Sequence, residues 1–174
     1  MQLDVPEEAS IKAAEQHNHG KLDVLIKSAR IGVSEASGPS NLEESYAENY
    51  NTNLIGVAFI VTTIVLLMKE TSSDPRIINI SSAPALLRLS FTGNLAPSRV
   101  ISYSVSKTAR IVLTVEDAKA EPVVSFYAAN SGHCKTAFNW LQGYKKPVGL
   151  REGSWGIWRW RRRGNMKMGF GSGC

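Results

Sequence analysis

The sequence predicts an α/β domain built on a parallel sheet, and three observations carry that expectation. Residues 22–26, 76–82 and 123–129 are short β-branched and apolar runs suited to buried strands. Between them lie longer segments of helical character, 41–70 and 103–119, and strand–helix–strand alternation is how parallel strands are connected. The chain has 174 residues, 43% of them hydrophobic, which is one domain's worth and enough to bury a sizeable core.

In chain order, Leu3, Asp4 and Val5 are expected to end a short strand that turns at Pro6 into a helix over 6–18. A proline in the first helical turn loses no hydrogen bond there, and Glu7 and Glu8 suit the positive end of the helix dipole. An Asp in that place also suits a plain cap. His17 and His19 flank Asn18, but no acid or cysteine stands at a ligand spacing, so a solvated helix end is expected and no metal site. After the strand 22–26, residues 31–41 are rich in Gly, Ser and Pro and read as a loop. The helix 41–70 is polar at first and densely apolar from Ile55 to Leu67. Its apolar run is short for a membrane span and is broken by Thr62 and Thr63, so it reads as a core helix with no membrane partner.

A turn at 72–75 leads into the strand 76–82, which ends in two small hydroxyls, Ser81 and Ser82. The loop 83–102 is long, and long loops are often functional. Its Leu86, Leu87, Leu89 and Phe91 suggest an apolar or aromatic substrate, or else further core. His133 and Cys134 follow the last strand, but adjacent side chains make a poor nucleophile and base, and no third group orients them. From Lys145 onward eight Lys or Arg face one acid, so this end carries +7 while the rest carries −2. Residues 149–174 are rich in Trp, Arg and Gly, show neither helical nor strand periodicity in 153–163, and are expected to form a disordered tail. The abrupt change in composition suggests a shifted frame or an alternative exon. Interleaved Trp and Arg could stack on bases and neutralise phosphates, though a nonspecific basic tail is preferred and no nucleic-acid partner is expected. Two cysteines, Cys134 and Cys174, fit a reducing, cytoplasmic compartment better than a disulfide scaffold.

The chemistry concentrates at Tyr103-Ser104-Val105-Ser106-Lys107. Tyr and Lys four apart share a helix face one turn above each other. A phenol near pKa 10 is a weak base at neutral pH, and a neighbouring ammonium favours its phenolate, which suits proton transfer. Alone, the pair could equally be an amphipathic Tyr beside a snorkelling Lys. Ligands of open α/β sheets bind at the carboxyl ends of strands, where Ser82 stands.

A strand-end Ser, a loop and a Tyr-x-x-x-Lys helix resemble the short-chain dehydrogenase/reductase family, and the resemblance runs from about Leu3 to Val148. The run Asn130-Ser131-Gly132-His133-Cys134-Lys135-Thr136 is similar to fungal members. The resemblance implies a Rossmann-type doubly wound parallel sheet over 1–148 that starts at the family's third strand and lacks the first two, with their Gly-rich turn. It implies NAD(P) as cofactor and hydride transfer between it and an alcohol or carbonyl. Tyr103 would then be the acid/base, Lys107 would hold the ribose hydroxyls, Ser82 would polarise the carbonyl, and Asn53 would support a proton relay at a local widening of its helix. Cofactor contacts would come from Asp4, Val5, Ala29, Tyr103, Lys107, Gly132 and Thr136. The family's Asn-Asn-Ala-Gly is here Lys27-Ser28-Ala29-Arg30, and Ser131 stands where the family has Pro, so weak or absent activity is expected of this chain. The competing class is a non-enzymatic fragment that joins a second copy or a full-length relative through helices 42–70 and 103–119.

Overall fold

In the computed structural model the described residues are 4–5, 7–17, 21–32, 42–82, 85, 91 and 100–130, together with the backbone of 154–160 and 166–172. Helix α1 (Glu8–His17) precedes strand β1 (Val24–Lys27), and helix α2 (Leu42–Tyr50) runs through a π-turn (Asn51–Ile55) into α3 (Gly56–Thr71). Strand β2 (Arg76–Ile80), helix α4 (Ile101–Ala120) and strand β3 (Ser125–Asn130) follow, then β4 (Ser154–Trp160) and β5 (Met166–Ser172).

The three predicted strands pair in parallel, with Leu25 beside Ile77 and Ile77 beside Phe126. This is the expected partial α/β fold. Side chains alternate along a strand, so Leu25 and Lys27, Ile77 and Asn79, and Phe126 and Ala128 all face one side. There α1, α3 and α4 cover them. Val5, Ile11, Ile60, Val61, Ile64, Val65, Met68, Ile77, Ala118, Val124 and Phe126 form the core. On the opposite side Val24 and Ile26 of β1 are exposed. Residues 42–71 are long and apolar enough to cross a membrane by length and composition. Here the helix instead buries one face, Val57, Ile60, Val61, Ile64, Val65 and Met68, in this core.

Two expectations change. Asp4 and Val5 do not form a strand: Val5 lies in a turn, and the Glu7 N–H bonds the Asp4 carbonyl as α1 begins. A lone strand has no ladder to satisfy it, whereas Val5 gains burial against α3. That approach depends on Gly56, where an added Cβ would lie 2.4 Å from the Val5 carbonyl oxygen and 2.6 Å from its Cγ1. Beyond residue 149, where a disordered tail was expected, β4 pairs antiparallel with β3 and β5 antiparallel with β4. Trp and Ile favour strands, and an unpaired β3 edge would leave a row of N–H and C=O groups open.

Candidate active site

Helix α4 buries the face Ser102, Tyr103, Ser106, Lys107, Arg110, Thr114 and Ala118, the three-to-four spacing of one helical stripe. Much of that stripe is polar, which is unusual for a buried face. Lys107 stands one turn beyond Tyr103, with its Nζ 5.7 Å from the centre of the Tyr103 ring. The same Nζ donates to the Ile80 carbonyl at 3.2 Å, so the amine sits at the end of β2, two residues before Ser82. Burial pushes the Lys107 amine down to about 6, and the positive charges of Arg110 and then Arg30 push the same way. The ammonium expected to stabilise a phenolate is therefore itself disfavoured, because the surroundings withhold water and supply only cations.

Asn53 lies at the centre of the π-turn, fully buried. The expected widening of the helix is present here. Its Oδ1 accepts the Ile31 N–H at 3.1 Å, while its Nδ2 donates to the Ile31 carbonyl at 3.0 Å and to Ser106 Oγ at 3.1 Å. The amide thus pins the segment after β1 to α4. One turn earlier Asn49 Nδ2 donates to Ser102 Oγ at 2.9 Å and to the Ser45 carbonyl at 2.8 Å. The two rungs ascend together, which sets α2 and α4 parallel and fixes the height of Tyr103 between them. Small polar residues four apart in both helices, 45-49-53 and 102-106, were the sequence signal for this ladder, and it went unread.

At the strand end, the Ser81 N–H bonds the Ala129 carbonyl at 2.7 Å, continuing the β2–β3 pairing. Ser81 is buried with its hydroxyl unpaired, whereas Ser82 is half-buried and its carbonyl receives the Ala85 N–H at 3.0 Å. Phe91 is 84% exposed, so it is not core; Leu86, Leu87 and Leu89 lie outside the described residues. Asp4 is exposed at the start of α1, and Ala29 is exposed after β1. Val5 is buried against Gly56, three positions beyond Asn53. Gly132, Thr136, His133, Cys134 and His19 fall outside the described residues. Among the described residues no group of three His, Cys, Asp or Glu could hold a metal ion.

Sequence reasoning passed over Arg110. It is fully buried, and its Nη2 donates to the Lys27 carbonyl at 2.6 Å. Its Nε and Nη1 have no hydrogen-bond partner, and neither do the buried Asn79 Oδ1 and Asp117 Oδ2. Lys27, read as a mere departure from the family pattern, is also buried, with its Nζ 3.5 Å from the Val57 carbonyl. Burial and then Arg110 push it down to about 7, with Asp117 acting the other way.

A neutral amine presents two donor hydrogens, and Lys107 spends one on Ile80. The other, with the half-buried Arg30 nearby, suits the hydroxyl and phosphate oxygens of a dinucleotide, so these residues fit such a group.

The family profile described as short chain dehydrogenase matches residues 1–145. The chain is 31% identical over 181 residues to the short-chain dehydrogenase anuI of Penicillium roqueforti, covering 97% of this chain and 69% of that protein. It is 30% identical to the dehydrogenase/reductase SDR family member 12 of Homo sapiens, over 67% of this chain and 37% of that one. Among solved structures, it resembles the aldohexose dehydrogenase of Thermoplasma acidophilum with TM-score 0.58 at 26% identity, over 71% of this chain and 46% of that one. A short chain dehydrogenase of Burkholderia cenocepacia in complex with NADP shares the fold, with TM-score 0.69 at 18% identity, over 84% of this chain and 58% of that one. This chain therefore spans about half the length of the solved structures it resembles.

Proposed function

The chain belongs to the short-chain dehydrogenase family, and from that premise we propose that it carries the proton-transfer half of an NAD(P)-dependent oxidoreductase acting on an alcohol or carbonyl. The observation that supports this most is the stacking of Tyr103 and Lys107 on one buried helix face, with Lys107 bonded to the strand that ends in Ser82. A bound NAD(P) would supply or accept the hydride. Tyr103 would give a proton to the forming alkoxide, or take one from an alcohol, at the substrate oxygen. Lys107 would donate to the ribose hydroxyls. The Ser82 hydroxyl would donate to the substrate carbonyl and orient it, and Asn53 would hold the relay in register through Ser106 and the Ile31 backbone. Asp4, Val5, Ala29, Gly132 and Thr136 would line the cofactor.

Turnover by this chain alone is expected to be slow. Lys27 and Arg30 stand where the family has Asn and Gly, and among the described residues no strand leads through a Gly-rich turn into a helix. The test is NAD(P)H oxidation against a panel of aldehydes and ketones. The turnover should fall by about 10²-fold or more in Tyr103→Phe, since a positioned general acid contributes that much. Equal turnover in the two proteins would overturn the proposal. A cytoplasmic location accords with this chemistry and with the sparse cysteines.

A second reading has its own observation. Ile55, Phe59 and Leu66, and likewise Ile101, Val105 and Val112, are exposed at the same four-and-seven spacing on neighbouring helices. Two such stripes suit association with a second copy or a longer relative. Sedimentation equilibrium should show a dimer that Phe59→Asp combined with Val105→Asp dissociates; a monomeric wild type would rule out association with a second copy.

A further inference from the structure

We infer that Arg110 is the positioning residue of the Tyr103–Lys107 pair: it ties the end of β1 to α4 and sets the electrostatic field in which Lys107 works. The inference rests on the functional reading above only in naming Lys107 as a working residue. Arg110 is three positions beyond Lys107 and seven beyond Tyr103, so all three project from the same side of α4. It is fully buried, as are Lys107 and, nearly so, Lys27. Three basic side chains thus share one water-poor layer, and the nearby carboxylate, Asp117, is half-buried with its Oδ2 unpaired. A guanidinium is the cation least able to shed its proton in such a place. Two of its nitrogens are left without partners, an arrangement that a role confined to packing would not require, since an apolar side chain of similar volume avoids that cost. The remaining fork bonds the Lys27 carbonyl at 2.6 Å and so holds the backbone that leads into Ala29, Arg30 and Ile31.

The charge should therefore settle on Arg110 and be refused by the amines beside it. The charged groups acting on Lys107 are Arg110 from its own helix and Arg30 from beyond β1; Tyr103 lies one turn below and β2 contributes the Ile80 carbonyl. Lys27 from β1 is subject to Arg110 in the same sense, and Asp117 of α4 opposes it. Lys107 would then serve as a neutral hydrogen-bond donor before any anionic ligand arrives, and it would take up a proton as negative charge enters the site.

The experiment is a pH titration of the lysine side-chain carbon resonances in the whole chain, without cofactor or substrate, with the Lys107 signal identified by its loss in Lys107→Met. Arg110→Gln keeps an N–H donor for the Lys27 carbonyl but removes the charge, and it should raise the Lys107 midpoint by about one pH unit, a tenfold gain in proton affinity. Arg110→Lys replaces the guanidinium with an amine that the same layer should deprotonate as it does Lys27 and Lys107, so it too should raise the midpoint. The inference is overturned if the Gln variant titrates like wild type, or if the wild-type midpoint itself lies near the ordinary 10.5. Should Arg110→Gln not fold, Arg110→Met takes its place; should neither fold, the wild-type midpoint decides alone. Because no cofactor is present, failure of NAD(P) binding would count against the functional reading and leave this result standing.

Discussion

Replacing Lys107 with Met should stabilise the fold at neutral pH while destroying the proposed chemistry. In the unfolded chain the amine keeps its proton up to the ordinary 10.5, whereas in the folded chain it releases it near 6. At pH 7 folding must therefore strip that proton, which costs about 1.4 kcal/mol for each pH unit below 10.5, or about 5 kcal/mol as a ceiling. Met fills a similar volume and carries no such cost. Against the gain stands the lost hydrogen bond to the Ile80 carbonyl, about 1 kcal/mol, with that carbonyl left buried. The net expectation is a stabilisation of about 2–4 kcal/mol at pH 7 that shrinks toward zero as the pH approaches 10. The sign follows from proton counting: between the folded and unfolded values the unfolded state binds more protons, so wild-type stability rises with pH and closes the gap. Lys27, with a folded value of about 7, adds to the same trend. Urea unfolding of both proteins at pH 7 and pH 10 measures this. A variant no more stable than wild type at pH 7, or one whose advantage does not change with pH, would refute the reasoning.

Two further substitutions probe the frame around the site. Gly56→Ala should destabilise by about 1–3 kcal/mol, because overpacking against the Val5 backbone outweighs the roughly 1 kcal/mol that Ala gains over Gly in a helix; a raised melting temperature would show that Val5 does not pack there. Asn53→Ala breaks both bonds to the Ile31 backbone and the one to Ser106, so a loss of about 2–4 kcal/mol is expected. Amide exchange at Ile31 should accelerate in that variant, and unchanged protection there would disprove the clamp.

Much of the fold was legible because its signals are local. The β-branched runs around Ile26, Ile78 and Phe126 became parallel strands, and the apolar stripe from Val57 to Met68 became the core helix. Tyr103 and Lys107 were legible as a pair because four residues fix them on one helical face. The partners that give the pair its character were not, because they come from afar. Arg110 bonds the carbonyl of Lys27, 83 positions away, and Asn53 bonds Ser106 across 53. An Arg or Lys in sequence reads as surface, and only the packing of α3 and α4 on the sheet shows these to be buried. The turn at Val5 was misread because a strand needs a neighbour that three residues cannot reveal. The strands after residue 149 were missed because their support is the outer edge of β3, which no local pattern discloses.

The most direct test follows the Lys107 side-chain resonance as NADPH is added to the whole chain. If Tyr103, Lys107 and Ser82 form the inherited redox site, that resonance should shift saturably, and its midpoint should move upward as phosphate charge enters. A Lys107 signal that stays fixed at saturating NADPH would contradict the account.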